Sequence, residues 1–435
     1  MRRTVCPRRP GWAHVTESIV PEKGSAARRA RRARRGSELF VRALLRRARQ
    51  GTVVLNDASG TRRYGRGAPE INVTVHDVRT YHALWRGGSI GFGESYTDGW
   101  WDCDDLTLLV RFVIANMRPL MRRLDAAARV WSPFTRIVQR LERIDKERDR
   151  ANIRAHYDLG NDFYSLMLDE TMMYSSAYFV DEFTTLYDAS LAKLEKLCRK
   201  LELRDTDHVV EIGTGWGGFA LHAAANYGCR ITTVTISDAQ YEYVARRVRE
   251  EGLEHLVVVK NQDYRDLEGT FDKLVSIEMI EAVGWRQLDT YFATCAKLLT
   301  PEGLMVLQVI TINDFSYERT KNSDDFIKRM IFPGGFLPSL EALVRSSSSV
   351  SDLRVTHLED IGRHYAETLV RWRDNLAAHA ANVTALNLGE EFARMWHMYL
   401  CYCEAAFLER HISDLQVIFT RQGRPATLSS ARPAT

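Results

Sequence analysis

Residues 209–219 read Val209-Val210-Glu211-Ile212-Gly213-Thr214-Gly215-Trp216-Gly217-Gly218-Phe219. A short β-favouring run ends in a glycine turn, and an alanine-rich helical stretch, Ala220–Asn226, follows it. Glycine suits such a turn because the bend is tight and a ligand can lie against bare backbone at the helix N-terminus. The string satisfies GxGxxG through Gly213, Gly215 and Gly218, so a dinucleotide site, a site for a phosphate-free nucleoside and a purely structural turn are all readings of it. Two features favour the nucleoside. Glu211 stands two residues before the first glycine, and the second strand ends in Thr235-Ile236-Ser237 where a dinucleotide site would carry a ribose-binding acid. An acid beside the turn, with no phosphate to repel it, suits a cationic cofactor such as S-adenosylmethionine.

Outward from this stretch, Ile231–Ile236, Leu256–Lys260, Lys273–Ile277 and Leu304–Ile310 repeat the pattern of short β-rich runs separated by helical segments. That alternation predicts an α/β fold built on a doubly wound parallel sheet, with ligands at the carboxyl ends of the strands. The last run, Leu415–Thr420, is expected to close the sheet. Residues 51–115 alternate strand-like stretches (Thr52–Leu55, Ile71–Val75) with turns and end in a helix, which predicts a small separate domain; 116–150 reads as a helical connector, 151–421 as the catalytic domain and 422–435 as a disordered tail.

The 435 residues are 45% hydrophobic and 27% charged, enough for a large core, and no apolar run approaches the roughly 18 residues of a spanning helix. The N-terminus lacks the apolar segment of a secretory signal, and seven cysteines without paired spacing predict reduced thiols and no metal site, so a cytoplasmic protein is expected. The net charge of +4 is unevenly spread: residues 1–50 hold 15 Lys and Arg against three acids. Leu39, Phe40, Val41, Leu44 and Leu45 among Arg42, Arg46, Arg47 and Arg49 form a basic amphipathic pattern suited to an anionic membrane surface, while 1–35 also read as a solvated tail. No aromatic platform is interleaved with the arginines, so nucleic acid is not the expected partner.

Further motifs stand in order along the chain: Gly91-Phe92-Gly93-Glu94-Ser95-Tyr96 with Gly99-Trp100-Trp101; His156-Tyr157-Asp158-Leu159-Gly160-Asn161-Asp162-Phe163-Tyr164; Met173-Tyr174-Ser175-Ser176-Ala177-Tyr178-Phe179; Glu281-Ala282-Val283-Gly284; and Ile331-Phe332-Pro333-Gly334-Gly335. With the glycine loop, they make the chain from Gly91 to Arg421 resemble the cyclopropane-fatty-acyl-phospholipid synthases. The resemblance implies a Rossmann-like class I methyltransferase sheet with helical lid insertions and a small N-terminal domain. It implies transfer of a one-carbon unit from S-adenosylmethionine to the double bond of an unsaturated phospholipid acyl chain, and peripheral attachment to the membrane; the sequence leaves the oligomeric state open, a homo-oligomer included.

Carried over by position, cofactor contacts fall at Tyr174, Ser175, Gly213, Gly215, Gly217, Thr235, Ile236, Gln240 and Tyr264, beside Glu211. The base in the family is thought to be a bicarbonate held by a polar cage, matched here by Ser176, Glu281, Gln308, the backbone of Ile310, and Tyr365. Cys403 aligns with a cysteine long suspected of catalysis, although no step needs a thiol. Three positions depart from the family: Ser176 replaces Cys, Gln308 replaces His and cannot become a cation, and Glu278 replaces Gly. Glu278 thus becomes a candidate base in place of bicarbonate. The chain also resembles the branch associated with 10-methyl lipids, where deprotonation after a hydride shift gives an exocyclic methylene for a partner reductase. An inactive lipid-binding protein on the same fold, and a methyltransferase acting on another substrate class, are the remaining readings.

Overall fold

The structure is a computed structural model that describes residues 36–118 and 160–422. The arm 1–35, the connector from residue 119, the first residues of the His156 motif and the tail after Gln422 lie outside the described residues.

The larger sheet has seven strands in the order β10(Leu353–Asp360), β11(Ile412–Arg421), β9(Leu299–Ile312), β8(Phe271–Ile277), β5(His208–Ile212), β6(Arg230–Thr235), β7(Val257–Asn261). The runs from β5 to β9 pair in parallel, and the central β5 and β6 are buried along almost their whole length, as strands covered by helices on both faces must be. Two expectations are corrected. β11 does not close the sheet but lies inside it, antiparallel to β9 and to an edge strand, β10, that the sequence reading missed. β10 is exposed along most of its length and carries little apolar alternation, which is why its pattern is weak.

Residues 51–103 form a four-stranded sheet, β2(Gly60–Arg66)-β1(Gly51–Asp57)-β3(Glu70–Val75)-β4(Trp101–Cys103). This region packs directly on the catalytic part. Its buried Ile71, Trp101 and Phe112 belong to the same apolar cluster as Phe163, Trp372 and Trp396 of the catalytic part. Its contact with helix Gly389–Leu408 is also polar: Tyr96 Oη meets His397 Nδ1 at 3.0 Å, Arg394 Nε donates to the Tyr96 carbonyl at 2.7 Å, and Thr107 Oγ1 donates to Glu404 at 2.8 Å.

The end of the basic arm packs on this sheet as well. A helix over 36–45 turns Arg42 inward, where its guanidinium donates to Tyr64 Oη at 2.9 Å and pairs with Asp57 at 2.5 Å, while Leu39 and Phe40 stay exposed. No helix among the described residues is long and apolar enough to cross a membrane.

Gly93 shows how tightly the two parts meet: a Cβ there would fall 2.0 Å from the ring of buried Phe326. Gly93→Ala is expected to destabilise the protein by about 1–3 kcal/mol through overpacking, lowering the melting temperature without changing the secondary-structure content.

Candidate active site

The glycine turn sits at the carboxyl end of β5. Gly213 (φ +96°) brings its backbone against Met279, so that a Cβ would lie 2.7 Å from that side chain, and Gly217 (φ +85°) caps helix Gly218–Tyr227 in the left-handed conformation. At Gly215 (φ +51°) a Cβ would meet open space. Glu211 is buried below the turn, where its carboxylate accepts from Thr233 Oγ1 at 2.6 Å; burial pushes its acid up to about 8. Thr235 Oγ1 donates to Gln240 Oε1 at 2.8 Å at the end of β6, beside half-buried Ile236. Tyr264 stands further along the same strand ends, its ring 5.7 Å from Tyr291. These groups fit a cationic nucleoside: bare backbone with a helix N-terminus, hydroxyl and amide groups at the next strand end, and an aromatic ring.

An aromatic shell covers the turn on the lid side. Trp216 Nε1 donates to Asn161 at 2.8 Å, and Tyr174 lies 5.2 Å from Trp372 and 5.3 Å from Tyr164, with its hydroxyl 2.9 Å from that of Tyr399. Ser175 Oγ accepts from Lys193 Nζ at 2.8 Å. Lys193 is fully buried, and burial draws its ammonium down to about 8 against the opposing pull of Glu278, Asp414, Asp169 and Glu211.

The cage residues do come together, around a carboxylate. Glu278 follows β8 with φ +48°, and its N–H donates to the Gln308 carbonyl at 2.8 Å. Its Oε1 accepts from the Ser176 N–H at 2.9 Å and from Gln308 Nε2 at 2.7 Å, and its Oε2 from Tyr365 Oη at 2.7 Å. Tyr365 is held in place by stacking on Phe407 at 4.5 Å. Burial raises the Glu278 acid, opposed by the Ser176 N–H, the Tyr365 hydroxyl, Lys193 and Gln308.

Glu281 sits in the next turn, pinned by Phe336 N–H on its carbonyl at 2.9 Å. Its Oε1 accepts from the Ile310 N–H at 2.5 Å, and its Oε2 is buried with no hydrogen-bond partner among the described residues. Burial and the Glu278 charge push it up to about 8. Cys403 is not brought into this constellation: it packs on the aromatic core, and burial raises its thiol.

Two neighbours escaped the sequence reading. Lys193 was signalled by a lone cation on the apolar face of helix Leu186–Lys200, and Asp414 by its alternation with Gln416 on the buried face of β11.

A family model described as mycolic acid cyclopropane synthetase matches residues 144–417, more than half of the chain. The chain belongs to the cyclopropane synthase family. It is 36% identical over 382 residues to a tuberculostearic acid methyltransferase of Mycobacterium tuberculosis, covering 86% of this chain and 88% of the relative. It is 37% identical over 359 residues to the cyclopropane-fatty-acyl-phospholipid synthase of Escherichia coli K12, covering 82% and 89%. Two solved structures share the fold at TM-score 0.58, each covering 62% of this chain and 98% of its own: the cyclopropane synthase MmaA2 from Mycobacterium tuberculosis, 29% identical, and mycolic acid cyclopropane synthase CmaA1 complexed with SAH and CTAB, 30% identical. The protein is therefore an S-adenosylmethionine-dependent methyltransferase with the Rossmann-like class I sheet.

Glu281 yields a stability prediction. Its acid is about 8 in the folded chain against an ordinary 4.5, so the folded state keeps a proton that the unfolded state loses, and stability falls as pH rises from about 4.5 to 8. Glu281→Gln removes that contribution. Thermal denaturation across this window should show a shallower fall than the wild type, with the other raised acids, Glu211, Glu278 and Asp414, contributing to the slope that remains.

Proposed function

We propose that the protein adds a one-carbon unit from S-adenosylmethionine to the double bond of an unsaturated phospholipid acyl chain, closing a cyclopropane ring, with Glu278 as the base. The observation that carries this is the Glu278 carboxylate held by Ser176, Gln308 and Tyr365 at the end of β8. When bound, the cofactor's sulfonium supplies the electrophilic methyl group. An alkene is a weak nucleophile, so the residues around it must orient it and exclude water, and the shell of Tyr174, Trp216, Trp372 and Tyr399 offers aromatic faces for the positive charge that develops on the lipid. Glu278 Oε2 has a single donor and therefore a lone pair free to take the proton whose loss closes the ring.

Bicarbonate does not fit this cage. Its expected donors are engaged by the protein's own acids, Ser176, Gln308 and Tyr365 by Glu278, and the Ile310 N–H by Glu281. A further anion would meet two carboxyl groups and no spare donor among these residues.

A second product has specific support. The same carbocation can instead undergo a hydride shift that moves the charge to the carbon bearing the new methyl, and loss of a proton from that methyl then leaves an exocyclic methylene for a reductase to reduce. Glu278 in place of glycine, and the similarity to a tuberculostearic acid methyltransferase, favour this variant. The N-terminal region supports an intact phospholipid as substrate: the match to the E. coli phospholipid synthase covers 82% of this chain, whereas the match to CmaA1 covers 62%. Exposed Leu39 and Phe40 beside Arg46 and Arg47 support peripheral attachment to an anionic membrane.

Mass spectrometry of oleoyl-phospholipid vesicles incubated with the protein and S-adenosylmethionine should show a gain of one CH₂. Resistance of the product to hydrogenation identifies the ring, uptake of hydrogen to give a methyl branch identifies the methylene lipid, and no mass gain refutes both. Glu278→Gln should lower turnover by on the order of 10²- to 10⁴-fold with SAH binding intact. Glu278→Gly, which frees the three donors, should be inactive alone and regain turnover with added bicarbonate.

A further inference from the structure

The acids of the cage are unequally served by donors. Glu278 receives three hydrogen bonds. Asp414, fully buried in β11, receives one from a side chain: its Oδ2 accepts from Gln308 Nε2 at 2.9 Å, while Oδ1 is buried with no hydrogen-bond partner among the described residues. The two carboxyl groups therefore divide the two hydrogens of one amide nitrogen, and they lie within hydrogen-bonding reach of each other. Gln308 cannot reverse its amide to relieve them. It faces Gln416 across the β9–β11 register, and its Oε1 accepts from Gln416 Nε2 at 3.0 Å.

Two buried carboxylates this close cannot both be charged. Donor count decides between them: charge settles on the group with three donors, and the proton on the group with an unserved oxygen, because a protonated oxygen can itself donate.

We propose that Asp414 is the proton-holding member of a buried acid pair with Glu278, a positioning residue whose O–H keeps Glu278 in the carboxylate form. This rests on the reading of Glu278 as the base. Burial raises the Asp414 acid well above its ordinary value, Glu278 and Glu281 add to this, and Lys193 opposes it. Of the other charged or titratable groups facing the pair, Tyr365 is held neutral by its own burial, and Lys200 is turned to Glu359 and to Gln416 Oε1. When Glu278 takes the substrate's proton the pair carries two, and one must pass to solvent before the next turnover. The cycle then balances as one proton gained from the lipid and one released.

The test uses the full chain labelled with ¹³C at the aspartate side-chain carboxyl. Infrared spectra at neutral pH should contain a protonated-carboxyl C=O stretch that shifts with the label and is lost in Asp414→Asn; absence of any label-sensitive band overturns the proposal, even if the variant does not fold. In the folded Asp414→Asn protein, checked by SAH calorimetry, the acidic limb of the kcat–pH profile should move up by about one unit with KM for vesicles unchanged, because an amide donates more weakly than a carboxylic acid. Asp414→Glu should restore the limb. A profile that superimposes on the wild type overturns the pair. Full activity in Glu278→Gln would instead remove the base while leaving the infrared result standing.

Discussion

One carboxylate binds together three segments far apart in the chain. Glu278 takes hydrogen bonds from the loop at Ser176, from β9 at Gln308 and from helix Gly362–Ala378 at Tyr365, while its own N–H extends the β8–β9 ladder by one step. The position is unfavourable for any residue but glycine: φ is +48°, which costs an L-residue roughly 1–2 kcal/mol. Burying the charge costs more again, and hydrogen bonds to a charged group, about 1.5–3 kcal/mol each, are what offset it. Strain and buried charge at one residue, satisfied from three directions, are what a functional position looks like when stability alone would have chosen glycine.

The rest of the molecule makes that arrangement affordable. The lid aromatics and the N-terminal sheet share one apolar cluster, so the wall that keeps water from Glu278 is continuous with the core beneath Trp101 and Phe112. A dry site is needed twice, to protect an electrophilic intermediate and to strengthen the hydrogen bonds that hold the carboxylate. It also accounts for the sparing use of cations. Lys193 faces Glu211, Glu278 and Asp414 together, and burial raises all three acids, so the cluster does not pair each acid with its own base.

Much of this was legible in the sequence because it is local. The β5 strand, its glycine turn and the helix behind it are specified by eleven consecutive residues, and the five parallel strands by their own apolar runs. What was not legible was non-local. β10 is an exposed strand whose pairing with β11 is set by the sheet and not by its own pattern, and the packing of the N-terminal region stayed hidden because the residues that join it to helix Gly389–Leu408 lie some three hundred positions away. In the site, the departures at 278 and 308 were visible, but not that they touch. Asp414 drew no attention because an acid in a strand is unremarked until the register sets Gln416 opposite Gln308.

The replacement of a mobile anion by a tethered one bears on when the proton is lost. A free ion held only by hydrogen bonds can shift toward whichever C–H bond is most acidic. A carboxylate whose own N–H is tied to β9 and whose two oxygens are both held by donors cannot follow the charge in this way, and it meets the lipid from Oε2. Both products come from loss of a proton from the transferred methyl, so product choice turns on timing: if Glu278 takes that proton while the charge is on the other alkene carbon, the ring closes; if a hydride shift has first moved the charge to the carbon that bears the methyl, a methylene remains. The same donors that make Glu278 a carboxylate therefore also aim it, and Gln308, unable to carry the charge of a histidine, leaves that aim to hydrogen bonds.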